Sequence, residues 1–405
     1  MRAFEGVKVV DLTHVLAGPF CTYQLALLGA DVIKIEEPIV GDYMRGRGSD
    51  DGLRDERMGD HFLCQNANKR SLALDLKSAE CINVVRHLVS SADVVVSNFR
   101  GDALDGLGLD SDSLCDLNSK LVYCRLTAYG CEGPMGHLRA YDNVVQAMAG
   151  MMMTTGTPES GPLKAGTPVL DYATGAMAAF AISSALFARH RTGRGRVLDV
   201  SMMDTAFLMM SPSIMSWLTS GRKTRPHGND HALASASCYE TADGSLLMLG
   251  CCTQLQFETL CRLIGRDDLL RDERFARVRH QDPFRTALVE ELANTMRERT
   301  AFVWEGMLID DVPVARVRTL EEALELPQVS HRSVLGKFPD WNGQAGDSAT
   351  TVPQMAFVDP EDPASIERPP PRLGEHTREI LHELGISEAS IDCMIKDGIA
   401  MDAGQ

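Results

Sequence analysis

The decapeptide GTPVLDYATG, residues 166–175, sets one carboxylate, Asp171, between two glycines at the head of an alanine-rich run. A short acidic side chain in such a place accepts the unpaired amide hydrogens of a first helical turn, so the local reading is a helix cap. A catalytic reading needs support from the rest of the chain. The usual handles for other chemistries are missing: there is no GxSxG elbow, no HExxH, no GxxxxGK[ST] and no DxDxDG loop. The eleven cysteines are scattered, only Cys251 and Cys252 are adjacent, and no Cys/His spacing suits a metal, which points to reduced thiols and no metal site.

Two loops offer a place for a ligand: LTHVLAGP (12–19) and SNFRGD (97–102). Each follows an expected strand, and in a doubly wound sheet ligands bind beyond the carboxyl ends of the strands. Glu36, near the end of another strand, suits a ribose, but the first turn has one glycine followed by proline instead of GxGxxG. A dinucleotide therefore lacks its phosphate cradle.

The elements that would position these loops alternate. Strands are expected at VKVVDL (7–12), DVIKIEE (31–37), DVVVSNF (93–99) and KLVYCRL (120–126), with helices over 20–28, closed by Gly29, and 78–91. That order predicts an α/β fold with a doubly wound, mostly parallel, Rossmann-like large domain. After a basic, turn-rich stretch, GRKTRPHGND (221–230), a hairpin around Asp243-Gly244 and helices over 254–264 and 284–310 predict an inserted smaller α+β domain. The expected division is 1–215 plus 330–405 for the large domain and 230–320 for the small one, with linkers at 216–229 and 321–329. The proline stop in ERPPPRLGEHTREIL precedes a helix near Glu375 that packs back on the large domain.

Acidic residues outnumber basic ones 56 to 40, a formal charge of −16, which argues against a nucleic-acid partner. An anionic ligand must then be held by local arginines and lysines and by helix amino ends. The stretch Tyr172 to Ala188 approaches membrane-spanning length, but Ala, Gly, Ser and Thr carry it, so a buried helix and no membrane are expected. MRAFEGVKVVDL has no apolar signal core, and a cytoplasmic location is expected.

In several blocks that run nearly end to end, the chain resembles the class III CoA-transferases, the family of formyl-CoA transferase and the carnitine and bile-acid CoA-transferases. The blocks are LTHVLAGPFCTYQLALLGADVIKIEEP, NANKRSLALDLK, ADVVVSNFRGDALDGLGL, AYDNVVQAMAG, TPVLDYATG, RTGRGRVLDVSMMD and RPPPRLGEHTREIL. The resemblance implies that Asp171, with Gly175 in a D-x-x-x-G element, is the nucleophile. It would form an anhydride with the donor acid and then an aspartyl-CoA thioester. A flanking helix amino terminus and backbone amides would stabilise the oxyanion.

Carried over residue by residue, the CoA contacts fall on His14, Val15, Leu74, Lys77, Asn98, Phe99, Arg139 and Met202. Glu37 and Gly106 stand where the formyl-CoA enzyme has arginines, so Arg45, Arg47 and Arg100 become the candidates for the adenosine-diphosphate pocket. The substrate pocket would hold Leu16 in place of a gating glutamine, Tyr141, Asp142 and Gly250, the one glycine of LGCCTQLQF. CoA arrives with the substrate, and no other cofactor is implied.

The same fold houses α-methylacyl-CoA racemases, which need a His and an Asp as opposed bases. Here AYD replaces their GHD, and Tyr141, with a phenol pKa ordinarily near ~10, is a poor base at neutral pH. A non-catalytic CoA-binding protein is the third reading. The resemblance is strongest to enzymes of the succinyl-CoA:glutarate type, implying succinyl-CoA or a similar donor and a small dicarboxylate acceptor, with His61 and His231 as candidates for the distal carboxylate. It also implies an interlocked homodimer.

Overall fold

The computed structural model describes residues 2–99, 101–338 and 351–403. Seven strands form the main sheet: β1 (Lys8–Leu12), β2 (Asp31–Glu36), β3 (Lys69–Leu74), β4 (Val94–Ser97), β5 (Val122–Thr127), β6 (Arg196–Ser201) and β7 (Ala400–Met401). Their spatial order is β7-β3-β2-β1-β4-β5-β6, and every pairing is parallel except β7 against β3. The central strands are valine-rich and buried on both faces, as a parallel sheet covered by helices requires.

On one face pack the helix Ala79–Ser90, through Cys81, Val84, Val85, Leu88 and Val89, and the tail helices Thr377–Glu383 and Glu388–Lys396. On the other lie α1 (Ala17–Leu27) and α3 (Val169–Thr192), through Cys21, Leu25, Ala178, Ile182 and Leu186. Between them in sequence comes α2 (Asp142–Met148), and α4 (Met202–Met209) follows β6. The helix α3 ends at Gly193 in the left-handed conformation, φ 67°, which glycine adopts without a Cβ penalty.

The expected buried helix over 172–188 is corrected in one respect. Only one face of α3 is buried; Phe180 and Phe187 on the other are 66% and 67% exposed. By length and composition α3 could cross a membrane, yet its first turn carries Asp171, its last turn Arg189 and Arg191, and its inner face packs on the sheet.

The tail does pack on the large sheet. Ser71 and Ala73 of β3 donate their amides to His376 Nδ1 at 3.3 Å and Thr377 Oγ1 at 3.1 Å, and β7 pairs with Ala73 and Leu74. These contacts cover a strand edge that would otherwise expose unpaired backbone groups.

The chain divides into two compact units: 1–151, 164–222 and 328–405 make one, and 152–163 with 223–327 the other. The second holds a three-stranded antiparallel sheet in the order 314–316, 246–249, 238–240. Its core includes Phe257, Leu260, Leu288, Leu292 and Trp304. The single helix expected over 284–310 is two, Arg285–Met296 and Ala301–Leu308, because the Thr300 hydroxyl accepts the Val303 amide and starts a new helix.

Candidate active site

Asp171 is not the cap of its helix. Pro168 occupies that position, and Asp171 lies in the first turn. The cap is supplied from α2: Asp142 Oδ2 accepts the amides of Leu170 at 2.6 Å and Asp171 at 3.2 Å. Four residues on, Gln146 donates to the other Asp142 oxygen and accepts the Ala165 amide at 2.9 Å. One face of α2 therefore grips the chain on both sides of the turn into α3.

The amides of Val169 and Tyr172 are also occupied, by Thr167 O at 2.8 Å and Pro168 O at 3.3 Å. Pro168 has no amide hydrogen and Tyr172 already makes the first intrahelical bond, so the three amides that this helix start leaves over, those of Val169, Leu170 and Asp171, are all satisfied. The start of α3 therefore has no free amide to offer an oxyanion. At the uncapped start of α1, by contrast, the amides of Leu16, Ala17 and Gly18 make no hydrogen bond among the described residues.

The Asp171 carboxylate makes no hydrogen bond or ion pair among the described residues, and burial together with the nearby Asp142 charge pushes its pKa up to about 7. Both effects disfavour the charged form. One turn on, Gly175 brings α3 against α1: a Cβ there would lie 2.5 Å from Ala17 O and 3.0 Å from Phe20. Phe20 meets the Tyr172 ring edge to face at 4.9 Å. The D-x-x-x-G spacing thus has a physical basis, with the carboxylate and the helix contact one turn apart on α3.

Beside α1 the loop Thr13–Leu16 carries two expected CoA contacts. His14 stacks edge to face on Phe99 at 5.0 Å, and burial lowers its pKa, which keeps the imidazole neutral near pH 7. Val15 has φ +72°, a left-handed conformation that a β-branched residue rarely adopts. Asn98 clamps His14, accepting its amide at 3.0 Å and donating to its carbonyl at 2.7 Å.

Other expected contacts are placed differently. Arg45 is buried, forms a two-pronged ion pair with Glu36 at 2.7 Å on each side, and lies 3.7 Å over the Phe62 ring. Its guanidinium is committed inward, which corrects its assignment to a phosphate and removes Glu36 as a ribose ligand. Leu74 is fully buried at the end of β3, and Met202 packs with Val145, Leu170 and Ala206, so both side chains are core. Lys77 and Arg139 are exposed, as is Arg47, which stacks on Tyr43 at 4.3 Å.

Arg100 lies outside the described residues. Leu16 stands at the N-cap of α1, and Tyr141, 68% exposed, at that of α2. His61 is exposed on the short helix Asp60–Leu63. Gly250 and His231 belong to the second unit, where a Cβ on Gly250 would meet Pro313 at 3.0 Å and His231 Nδ1 accepts the Leu233 amide.

The sequence reading missed a buried ionic cluster under the loop. Asp11 pairs with Lys69 at 3.0 Å, and Lys34 with Asp42 at 3.0 Å, all of them out of contact with solvent. Burial alone would raise the Asp11 pKa, but Lys69, Lys34 and two threonine hydroxyls bring it to about 2; burial takes Lys69 down to about 8. The available signal was a charged residue inside an otherwise apolar strand, as in VKVVDL and DVIKIE.

Residues 4–377 match CoA-transferase family III. The chain belongs to that family. This class III CoA-transferase is 37% identical over 394 residues to the succinate–glutarate CoA-transferase of Agrobacterium fabrum, covering 94% of this chain and 95% of that one. It is 30% identical to the succinyl-CoA:glutarate CoA-transferase of Mus musculus, covering 98% and 90%. Among solved structures it superposes on a CAIB/BAIF family protein from Brucella suis with a TM-score of 0.82, 32% identity and coverage of 95% and 99%. The transferase is thus an enzyme that moves CoA between carboxylic acids.

Proposed function

We propose that Asp171 is the nucleophile and that the enzyme transfers CoA from succinyl-CoA or a similar donor to a small dicarboxylate. The carrying observation is the Asp171 carboxylate itself: largely buried, without cation or hydrogen-bond donor among the described residues, and fixed at a helix start by Asp142. A structural carboxylate would be paired. Left unpaired, it is a poorly solvated and therefore stronger nucleophile once ionised.

In this scheme an Asp171 oxygen attacks the thioester carbonyl, the C–S bond breaks, and CoA leaves as the thiolate with a mixed anhydride behind it. The thiolate attacks the aspartyl carbonyl, releases the donor acid as its carboxylate and leaves an aspartyl-CoA thioester. The acceptor carboxylate then attacks that carbonyl, and the same two steps in reverse yield the new acyl-CoA and free Asp171. No proton is consumed overall. The amides of Ala17 and Gly18, which make no hydrogen bond among the described residues and lie on the helix that Gly175 brings against α3, are the donors this reading assigns to the oxyanions formed on the way.

The dicarboxylate reading rests on the names of the Agrobacterium and mouse relatives. For CoA, the reading takes His14, Val15, Asn98 and Phe99 in the loops and Lys77, Arg47 and Arg139 for the phosphates. The assembly proposed is an interlocked homodimer. Supporting it, Phe180 of α3 and Leu208 of α4 line an open groove of about 450 Å³, and Phe187, Trp217 and Leu218 are exposed as well. A mass in solution of twice 44.3 kDa is expected by light scattering, and a monomer would overturn that part.

The experiment for the whole reading is a panel of acyl-CoA donors against free dicarboxylates, followed by mass spectrometry of the new thioester. Exchange confined to monocarboxylates would refute the substrate class.

A further inference from the structure

The loop before α1 is held to an unusual degree. Every backbone N–H and C=O from Thr13 to Val15 is taken by a side chain. Thr13 N donates to Asp11 at 3.0 Å and Thr13 O accepts from Lys34 at 2.6 Å. Asn98 takes both groups of His14 at 3.0 and 2.7 Å. Val15 N donates to Asp42 at 3.1 Å and Val15 O accepts from Gln65 at 2.6 Å. The side chains come from β1, β2, the loops after β2 and β4, and residue 65 before β3, and Lys34 and Asp42 also pair with each other at 3.0 Å.

Two further facts show what the cage is for. Val15 is held at φ +72°, and such strain persists only where the surroundings over-determine it. Immediately after the caged segment, the amides of Leu16, Ala17 and Gly18 make no hydrogen bond among the described residues. A loop needed only as a connection would satisfy its polar groups with its own turn or with solvent. Here buried ions and amides hold one shape, and the chain next to it presents free donors beside α3.

We propose that Lys34, Asp42 and Gln65 are positioning residues of the acyl-CoA site: they fix Thr13–Leu16 in its substrate-binding conformation before acyl-CoA arrives. This rests on the reading that the loop meets CoA. None of the three need touch substrate. Their contribution is to keep the competent loop conformation near full occupancy, because apparent affinity falls by the fraction of molecules that have lost it.

Gln65→Leu removes the donor to Val15 O without exposing a buried ion. If the competent conformation falls to about a tenth, CoA Kd and acyl-CoA KM rise about tenfold while kcat at saturation stays within about twofold. Amide exchange at 13–16 quickens in the free variant and returns to the wild-type rate at saturating CoA. Gln65→Met, which keeps the length of the side chain but not the donor to Val15 O, is expected to give the same split and serves if Gln65→Leu fails to fold. Lower thermal stability with unchanged Kd in the folded enzyme would overturn the proposal, as would a fall in kcat alone. His14→Ala separates the two levels. If it weakens CoA binding and the cage variants do not, the positioning role fails; if it leaves CoA binding intact, the CoA reading of the loop fails and takes the proposal with it.

Discussion

Asp142 Oδ2 accepts the backbone amides of Leu170 and Asp171, at 2.6 and 3.2 Å, so one carboxylate caps the helix whose first turn carries another. The arrangement orients Asp171 and also charges its surroundings. The cap's negative charge adds to burial in holding the Asp171 pKa at about 7.

The first prediction concerns that charge. Only ionised Asp171 attacks a thioester, so kcat/KM for acyl-CoA should rise with pH through about 7 in the free enzyme. Asp142→Asn keeps an acceptor for the helix amides and removes the like charge. Its acidic limb should move to lower pH, as read from pH profiles of kcat/KM; a limb that stays in place would remove Asp142 as a cause.

The second concerns stability. A carboxyl whose native pKa exceeds its ordinary value of 3.8 opposes folding once it must ionise. The penalty is absent at low pH, grows as pH rises to about 7, and is constant above that. Asp171→Asn should therefore be inactive yet more stable than wild type above neutrality, by a few kcal/mol at most, and no more stable near pH 3.8. Urea titrations at the two pH values measure this.

Gly175 gives the third. A Cβ 2.5 Å from Ala17 O cannot be relieved by rotating a side chain, because the obstacle is backbone. Gly175→Ala should force α1 and α3 apart, destabilise by roughly 1–3 kcal/mol and lower activity, while Ala173→Gly on the same helix should lose only the ~1 kcal/mol of helix propensity.

The fourth tests the reassignment of Arg45. Arg45→Met leaves Glu36 buried without its guanidinium, held by only the Asp42 amide and the Ser71 hydroxyl, so the loss should be roughly 3 kcal/mol of stability. CoA affinity of the folded fraction, by calorimetry, should be unchanged; a selective loss of affinity would return Arg45 to the phosphates.

The fold was legible where physics acts locally. Valine runs and interposed helices announced β1, β2, β4 and β5. The strands β3 and β6 were missed because KRSLAL and RVLDVS carry charges that read as surface, and Lys69 is buried because Asp11, Pro19 and Thr22, far away in sequence, receive its ammonium. The site divides the same way. Asp171 stood out by its place at a helix start, but its cap is a residue of α2, and nothing within GTPVLDYATG reveals Asp142. Arg45 was assigned outward because the sequence does not state that Glu36 folds beside it. Residue types were readable, and their partners were decided by tertiary contact.

The most direct measurement is peptide mass spectrometry of the enzyme quenched during turnover with an acyl-CoA, with and without hydroxylamine. A CoA adduct is expected on the peptide holding Asp171, converted to a hydroxamate by hydroxylamine and absent from Asp171→Asn. Exchange at the wild-type rate with that peptide unmodified, or an Asp171→Asn enzyme that still exchanges acids, would contradict it.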